Sequence, residues 1–184
     1  MKGIIFNLLE DVISTAHGAG AWFDLIDAAG VGGAYTSLGS YPDAELFALV
    51  ETGAAALAMT PAQMLRWFGR SAMPMLAVRF PYLFANHASA RSFVGSVNAI
   101  IHPEVRKLYT DAVCPHFHVT RPDGVNDGGG ALILAYQSPR HLCRLAEGFV
   151  EGASDHFGET VVVEHLTCML DGQQVCRIAM RWPT

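Results

Sequence analysis

The sequence predicts an α+β fold in a single domain spanning residues 1–184. Three observations lead there. Apolar residues recur at helical spacing, behind recognisable start signals, from residue 3 to about 110. After Pro115 the pattern changes to short alternating stretches of the strand type. Helical spacing then returns once, and the chain closes on two strand-like stretches around Asp171-Gly172.

Residues 3–16 read as an amphipathic helix, with Ile5, Leu8, Leu9, Val12 and Ile13 on one side and Asn7, Glu10, Asp11 and Ser14 on the other. A second short helix over 21–29 is closed by the glycines at 30, 32 and 33. Tyr35 to Pro42 is a connector. Pro42-Asp43-Ala44-Glu45 then starts a helix to about 58, with acids in the first turn where the helix dipole favours them. In Thr60-Pro61-Ala62-Gln63, a cap, a first-turn proline and a capping-box Gln predict a helix to about Gly69. A shorter helix over Ala72–Phe84 follows, interrupted at Pro74 and Pro81. From Ser89 or Ala90 a long helix passes through His102 to about Thr110. Pro103 lies inside it, removes the hydrogen bond to the Ala99 carbonyl and predicts a bend. Residues 116–120 and 130–136 read as strands across an Asp/Gly/Asn-rich turn at 122–130. Ser138-Pro139 caps a helix to about Phe157, and Val161–Leu166 with Val175–Trp182 form the last hairpin.

Composition narrows the function. The chain is 51% apolar and 16% charged, with ten Phe, which is enough to bury a core and still cover a flat apolar ligand. A net charge of −5 without a basic block argues against nucleic acid and against an anionic membrane. The opening Met1-Lys2-Gly3-Ile4-Ile5-Phe6 run is too short for a signal peptide, and no apolar run approaches the ~18 residues of a membrane span. A cytoplasmic protein is expected, whose four cysteines are free thiols or metal ligands rather than disulfides. No Ser/His/Asp set, phosphate loop or paired-carboxylate motif stands in a convincing context, so no enzymatic activity is expected.

Two stretches carry chemistry. His102 follows the apolar segment Phe93 to Ile101; an imidazole on an apolar helix face is either a satisfied core histidine or a ligand for a metal or haem iron. Tyr136-Gln137-Ser138-Pro139-Arg140 places two hydroxyls on one face of a strand end and a guanidinium just beyond. That set suits carboxylates, unless Ser138 is only a helix cap and Arg140 a surface charge.

The opening Met-Lys-Gly-Ile-Ile, the His102 segment, Pro115 and Tyr136-x-Ser138-x-Arg140 together resemble the H-NOX family (haem nitric oxide/oxygen binding domains), in order and over essentially the whole chain. The resemblance implies a helical N-terminal subdomain, a C-terminal antiparallel sheet with helices, and haem b buried between them. It implies that His102 is the axial ligand, that Tyr136, Ser138 and Arg140 grip the propionates, and that Pro115 presses the ring out of plane. Pro103, directly after the ligand, departs from the family's pattern. The helix after Arg140 presents Leu142, Leu145, Ala146 and Phe149 as an apolar stripe, with Ile5 and Leu9 expected opposite. Oxygen-binding relatives carry a Tyr where this chain has Leu145. Bound dioxygen gains from a hydrogen-bond donor far more than NO or CO does, so a dry pocket that discriminates against oxygen is expected.

Cys143, His165, Cys168 and Cys176 form a second set. Their spacing suits either a Cys3His zinc tetrahedron or buried reduced thiols, and similar placement in a subset of bacterial H-NOX proteins implies zinc. Cys114 receives no role. The histidines at 17, 87, 116, 118, 141 and 156 read as surface residues; His116-x-His118 lacks a third ligand.

The expected function is a stand-alone bacterial sensor of NO, also binding CO, in which NO loosens the iron–His102 bond and the helix over 90–110 relaxes. Its output would go to a separate partner, which the resemblance implies is a histidine kinase or a cyclic-di-GMP synthase or phosphodiesterase. The alternative is a zinc/thiol redox sensor of the same fold. A haem peroxidase is disfavoured, because the distal stripe offers no acid–base residue.

Overall fold

The computed structural model describes residues 1–109, 111–121 and 131–183, so the turn expected at 122–130 and the helix end expected at Thr110 lie outside the described residues. Helices α1 (Gly3–His17), α2 (Ala19–Ala29) and α3 (Asp43–Ala56) follow the sequence periodicity closely. Gly30, in the left-handed region at φ 66°, closes α2. Helix α4 (Pro61–Arg79) opens on the expected capping box: Thr60 Oγ1 accepts from the Gln63 N–H at 3.2 Å, and the Thr60 N–H donates to Gln63 Oε1 at 2.8 Å.

The predicted stop at Gly69 is corrected, since α4 runs unbroken through Gly69 and Pro74 to Arg79. Gly69 lies against the backbone of Leu145 and Phe149, so it marks a close helix approach and not an end. Pro74 removes one backbone bond, to Arg70, and the packed helix tolerates that. Pro81 begins a separate single turn, α5 (Pro81–Phe84).

The long helix through His102 is also corrected. It divides into α6 (Ala90–Ser96), a π-helical turn over Val97–Ile101, and α7 (His102–Leu108). Ser89 caps α6 through its Oγ, which accepts from the Ser92 N–H at 3.1 Å. The His102 N–H reaches back to the Val97 carbonyl, one residue further than in an α-helix. Pro103 therefore falls in the first turn of α7, where its missing N–H costs nothing.

Four antiparallel strands complete the fold: β1 (His116–Thr120), β2 (Leu132–Gln137), β3 (Val162–Thr167) and β4 (Cys176–Arg181), in the order β1-β2-β4-β3. Residues 168–175 join β3 to β4 through a short 3-10 turn, Met169–Asp171, and Gly172 at φ 81°. Helix α8 (Cys143–His156) precedes β3. It starts four residues later than a Ser138 cap predicts, because the N–H of Leu142 is taken by the Tyr136 hydroxyl at 2.9 Å and Ser138 Oγ accepts from Arg140 N–H at 3.2 Å. Residues 138–141 are thus a turn, ending on His141 at φ 54°.

Two apolar clusters hold these elements. Phe6, Leu8, Leu9, Trp22, Leu46, Leu49, Met64 and Phe68 pack α1–α4 together. Phe93, Val94, Leu134, Ile178, Met180 and Val150 pack α6 and α8 onto one face of the sheet. No helix among the described residues is long and apolar enough to cross a membrane.

Candidate functional site

At the seam of the two clusters lies a cavity of about 460 Å³, within the usual range for small-molecule sites. Its lining includes Ile4, Ile5 and Leu8 of α1, Leu142 together with Leu145, Ala146 and Phe149 of α8, and His102, Pro115 and Phe117. Leu9 does not line it. That expectation is corrected: α1 turns Ile4, Ile5 and Leu8 to the cavity, and Leu9 is fully buried in the helical cluster.

His102 stands at the junction of the π-helical turn and α7, with its ring 5.1 Å from that of Phe117. Its Nδ1 is buried and has no hydrogen-bond partner among the described residues. Burial, and secondarily the Arg106 charge, pushes its pKa down to about 4. At neutral pH the imidazole is therefore uncharged, with a nitrogen lone pair free for a metal.

Tyr136, Ser138 and Arg140 all line the cavity. Tyr136 and Ser138 are buried, and burial pushes the Tyr136 phenol up. Arg140 is engaged: Nε donates to Asp43 Oδ2 at 2.7 Å and Nη1 to the Val113 carbonyl at 2.8 Å. The other Asp43 oxygen takes the Met1 ammonium at 2.6 Å. Burial works against the Asp43 carboxylate, but hydrogen bonds from the Met1 ammonium and Arg140 hold it below its ordinary range. Met1 and Lys2 also line the cavity. Sequence reasoning missed Asp43 and Met1. Asp43 carried a sufficient local explanation as a first-turn acid, and its partner Arg140 is 97 residues away.

The wall formed by Ile5, Leu8, Leu142, Leu145, Ala146 and Phe149 carries no side-chain donor. Tyr109 also borders the cavity, but its hydroxyl lies 3.4 Å from Ser37 Oγ.

A second constellation sits where α8 meets the β3–β4 connection. The sulfurs of Cys143, Cys168 and Cys176 lie within 4.8 Å of one another, all buried. Cys143 Sγ is 3.7 Å and Cys176 Sγ 3.8 Å from Cys168 Sγ. A tetrahedral site with Zn–S bonds of about 2.3 Å has edges of about 3.8 Å, so this spacing can hold a metal ion. Burial, then the neighbouring thiols, pushes the Cys143 thiol up. Burial opposes ionisation of Cys168 too, but the Leu170 backbone and side-chain contacts from His165, Cys143 and Cys176 leave it below its ordinary range. His165 does not join the sulfur trio at that span. Both its ring nitrogens are buried without hydrogen-bond partners, and Nε2 is 3.4 Å from Glu147 Oε2. Cys114 borders the cavity, away from the trio. His17, His116, His118, His141 and His156 are exposed; His87, half-buried, lies within hydrogen-bond reach of Ser92 and Ser96.

The family described as Haem-NO-binding matches residues 2–165. No curated protein sequence matches the chain. Among solved structures, an H-NOX protein from S. oneidensis in the Fe(II)NO ligation state is similar at a TM-score of 0.91 and 32% identity, over 100% of both chains. An NMR structure of an H-NOX domain from Shewanella oneidensis in the Fe(II)CO state gives 0.88 and 32%, over 100% of this chain and 99% of that one. The Fe(II) unliganded H-NOX protein from K. algicida, 24% identical, shares the fold at a TM-score of 0.85, over 100% and 97%. With the family match running from the first helix into the third strand, and a full-length likeness at 32% identity, the chain belongs to the haem-NO-binding, or H-NOX, family.

Proposed function

We propose that residues 1–184 form a single haem b domain that senses nitric oxide. The observation that carries this reading is the uncharged imidazole of half-buried His102, its Nδ1 shut away from solvent and without a hydrogen-bond partner among the described residues, on a cavity lined mostly by apolar side chains. Bound haem b would supply an iron able to take a diatomic ligand such as NO or CO. The Fe(II)NO and Fe(II)CO states of the Shewanella relatives support that choice of ligand.

His102 holds the metal from the side of α7. Tyr136, Ser138 and Arg140 take the propionates, and Arg140 shares its donors between them and Asp43. Pro115, which lines the same cavity, would pack against the ring. Ile5, Leu145 and Phe149 keep the far side dry; with no donor there to stabilise charge on dioxygen, NO is favoured over oxygen. Because His102 sits between the turn over Val97–Ile101 and α7, loss of its hold on a metal would free the segment 97–108 and bias a two-state shift. The signal passes to a separate bacterial cytoplasmic partner, a histidine kinase or a cyclic-di-GMP synthase or phosphodiesterase, and the domain itself catalyses nothing.

The test is His102→Ala. The variant should lose haem on purification and regain it when imidazole is supplied. Unchanged haem content and absorption without imidazole would show that His102 is not the ligand.

The cysteine trio favours a second reading beside the first: a zinc site of Cys143, Cys168, Cys176 and His165 that makes the domain responsive to oxidants. Metal analysis of the purified protein tests it, with one zinc per chain expected and a zinc-free protein excluding it.

A further inference from the structure

Glu147 lies four residues after Cys143 on α8, so the carboxylate and the thiol leave the same side of the helix. Its side chain is only 3% exposed, and three cationic or potentially cationic groups surround it. Arg66 Nη1 of α4 is 3.1 Å away, Arg144 Nη1 2.9 Å, and His165 Nε2 3.4 Å. The two guanidinium groups alone would satisfy Glu147. They leave the histidine unexplained: both its nitrogens are buried and neither is hydrogen-bonded. An imidazole in that condition loses its water contacts for nothing, unless one nitrogen has a metal and the other a hydrogen-bond acceptor.

Resting on the zinc reading above, we infer that Glu147 is a positioning residue for that site. Its carboxylate accepts the Nε2–H of His165 and thereby presents Nδ1 to the ion held by Cys143, Cys168 and Cys176. Charge agrees with this assignment. A dication with three thiolates carries one net negative charge, and Glu147 and Glu151 add two more, while Arg66 and Arg144 bring two positive charges beside them, leaving most of that negative charge offset. The metal site is also tied to α4: Arg66 holds both Glu147 and Glu151, so the residue that orients the histidine belongs to the α4–α8 interface.

The experiment compares the wild-type protein with Glu147→Gln. Zinc content is measured on both, the zinc dissociation constant by competition with a chromophoric chelator, and the His165 ring state in the zinc-loaded wild type by long-range proton–nitrogen NMR. The inference expects one zinc per wild-type chain, a proton on Nε2 with Nδ1 as the ligand, and zinc binding weakened about 10- to 100-fold by the substitution. Unchanged affinity in Glu147→Gln, or ligation through Nε2, overturns the inference and leaves the zinc reading standing. A wild-type protein that takes up no zinc removes the zinc reading and this inference together. Should Glu147→Gln fail to fold, the wild-type ring state decides alone.

Discussion

Helix α8 buries ten of its fourteen residues, whereas the π-helical turn and α7, which line the same cavity, bury none of theirs. The sources of the difference are local. Gly148 and Gly152 let α8 press onto the α4 backbone at Arg66 and Arg70, and ion pairs from Arg66 to Glu147 and Glu151 and from Arg70 to Asp155 run along the same contact. On the other side, Ile100 and Leu108 are exposed, and the helix register slips by one residue immediately before His102. A wall so interlocked moves only at large cost, while a segment with few buried groups opens cheaply. The ligand histidine proposed here sits on the cheap side, so its release has somewhere to go.

Gly148→Ala is the strongest way to break this contrast. A Cβ there would overlap the carbonyl of Arg66, which is backbone and cannot step aside, so the two helices must part. A loss of about 3 kcal/mol in denaturant unfolding is expected, and an unchanged midpoint would show that the α8 wall is not rigid.

A smaller effect is expected from His102 itself in haem-free protein. Its native pKa is about 4, below the ordinary value of 6.5, so the folded chain refuses a proton that the unfolded chain accepts. Stability is therefore free of this penalty above pH 6.5 and falls as pH drops from 6.5 towards 4. His102→Ala should flatten that part of the pH–stability curve, and an equal slope in both proteins would contradict the burial of the imidazole.

The smallest effect sharpens the comparison from the other side. Ile100→Ala, at a residue 49% exposed on the π-helical turn, should cost less than about 0.5 kcal/mol. A loss above roughly 1 kcal/mol, measured by the same unfolding, would mean that the segment is anchored.

What the sequence reveals depends on how local its cause is. The α1 helix, the Thr60 capping box and β1 all follow from residues a few positions apart, and each is found where the spacing predicts. Gly69 misled because a glycine that ends a helix and one that admits a neighbouring helix look the same until α8 is in place. Pro103 located a disturbance but not its form, a wide turn over Val97–Ile101 ahead of the proline. Leu8 and Leu9 share a stripe too broad to tell which faces a cavity and which faces α2–α4. The late start of α8 came from the Tyr136 hydroxyl, a tertiary competitor for a backbone N–H. Glu147 gave no signal at all, because a glutamate on a helix reads as surface until Arg66 and His165 are brought around it.

The central claim, that His102 holds an iron in a cavity with a dry far wall, is tested most directly by the absorption spectrum of the reduced protein, recorded without oxygen before and after NO and separately in air. The account predicts a strong Soret band that moves with NO and shows no stable oxygen complex in air. A colourless protein after haem has been supplied, a band indifferent to NO, or a lasting oxygenated spectrum would contradict it.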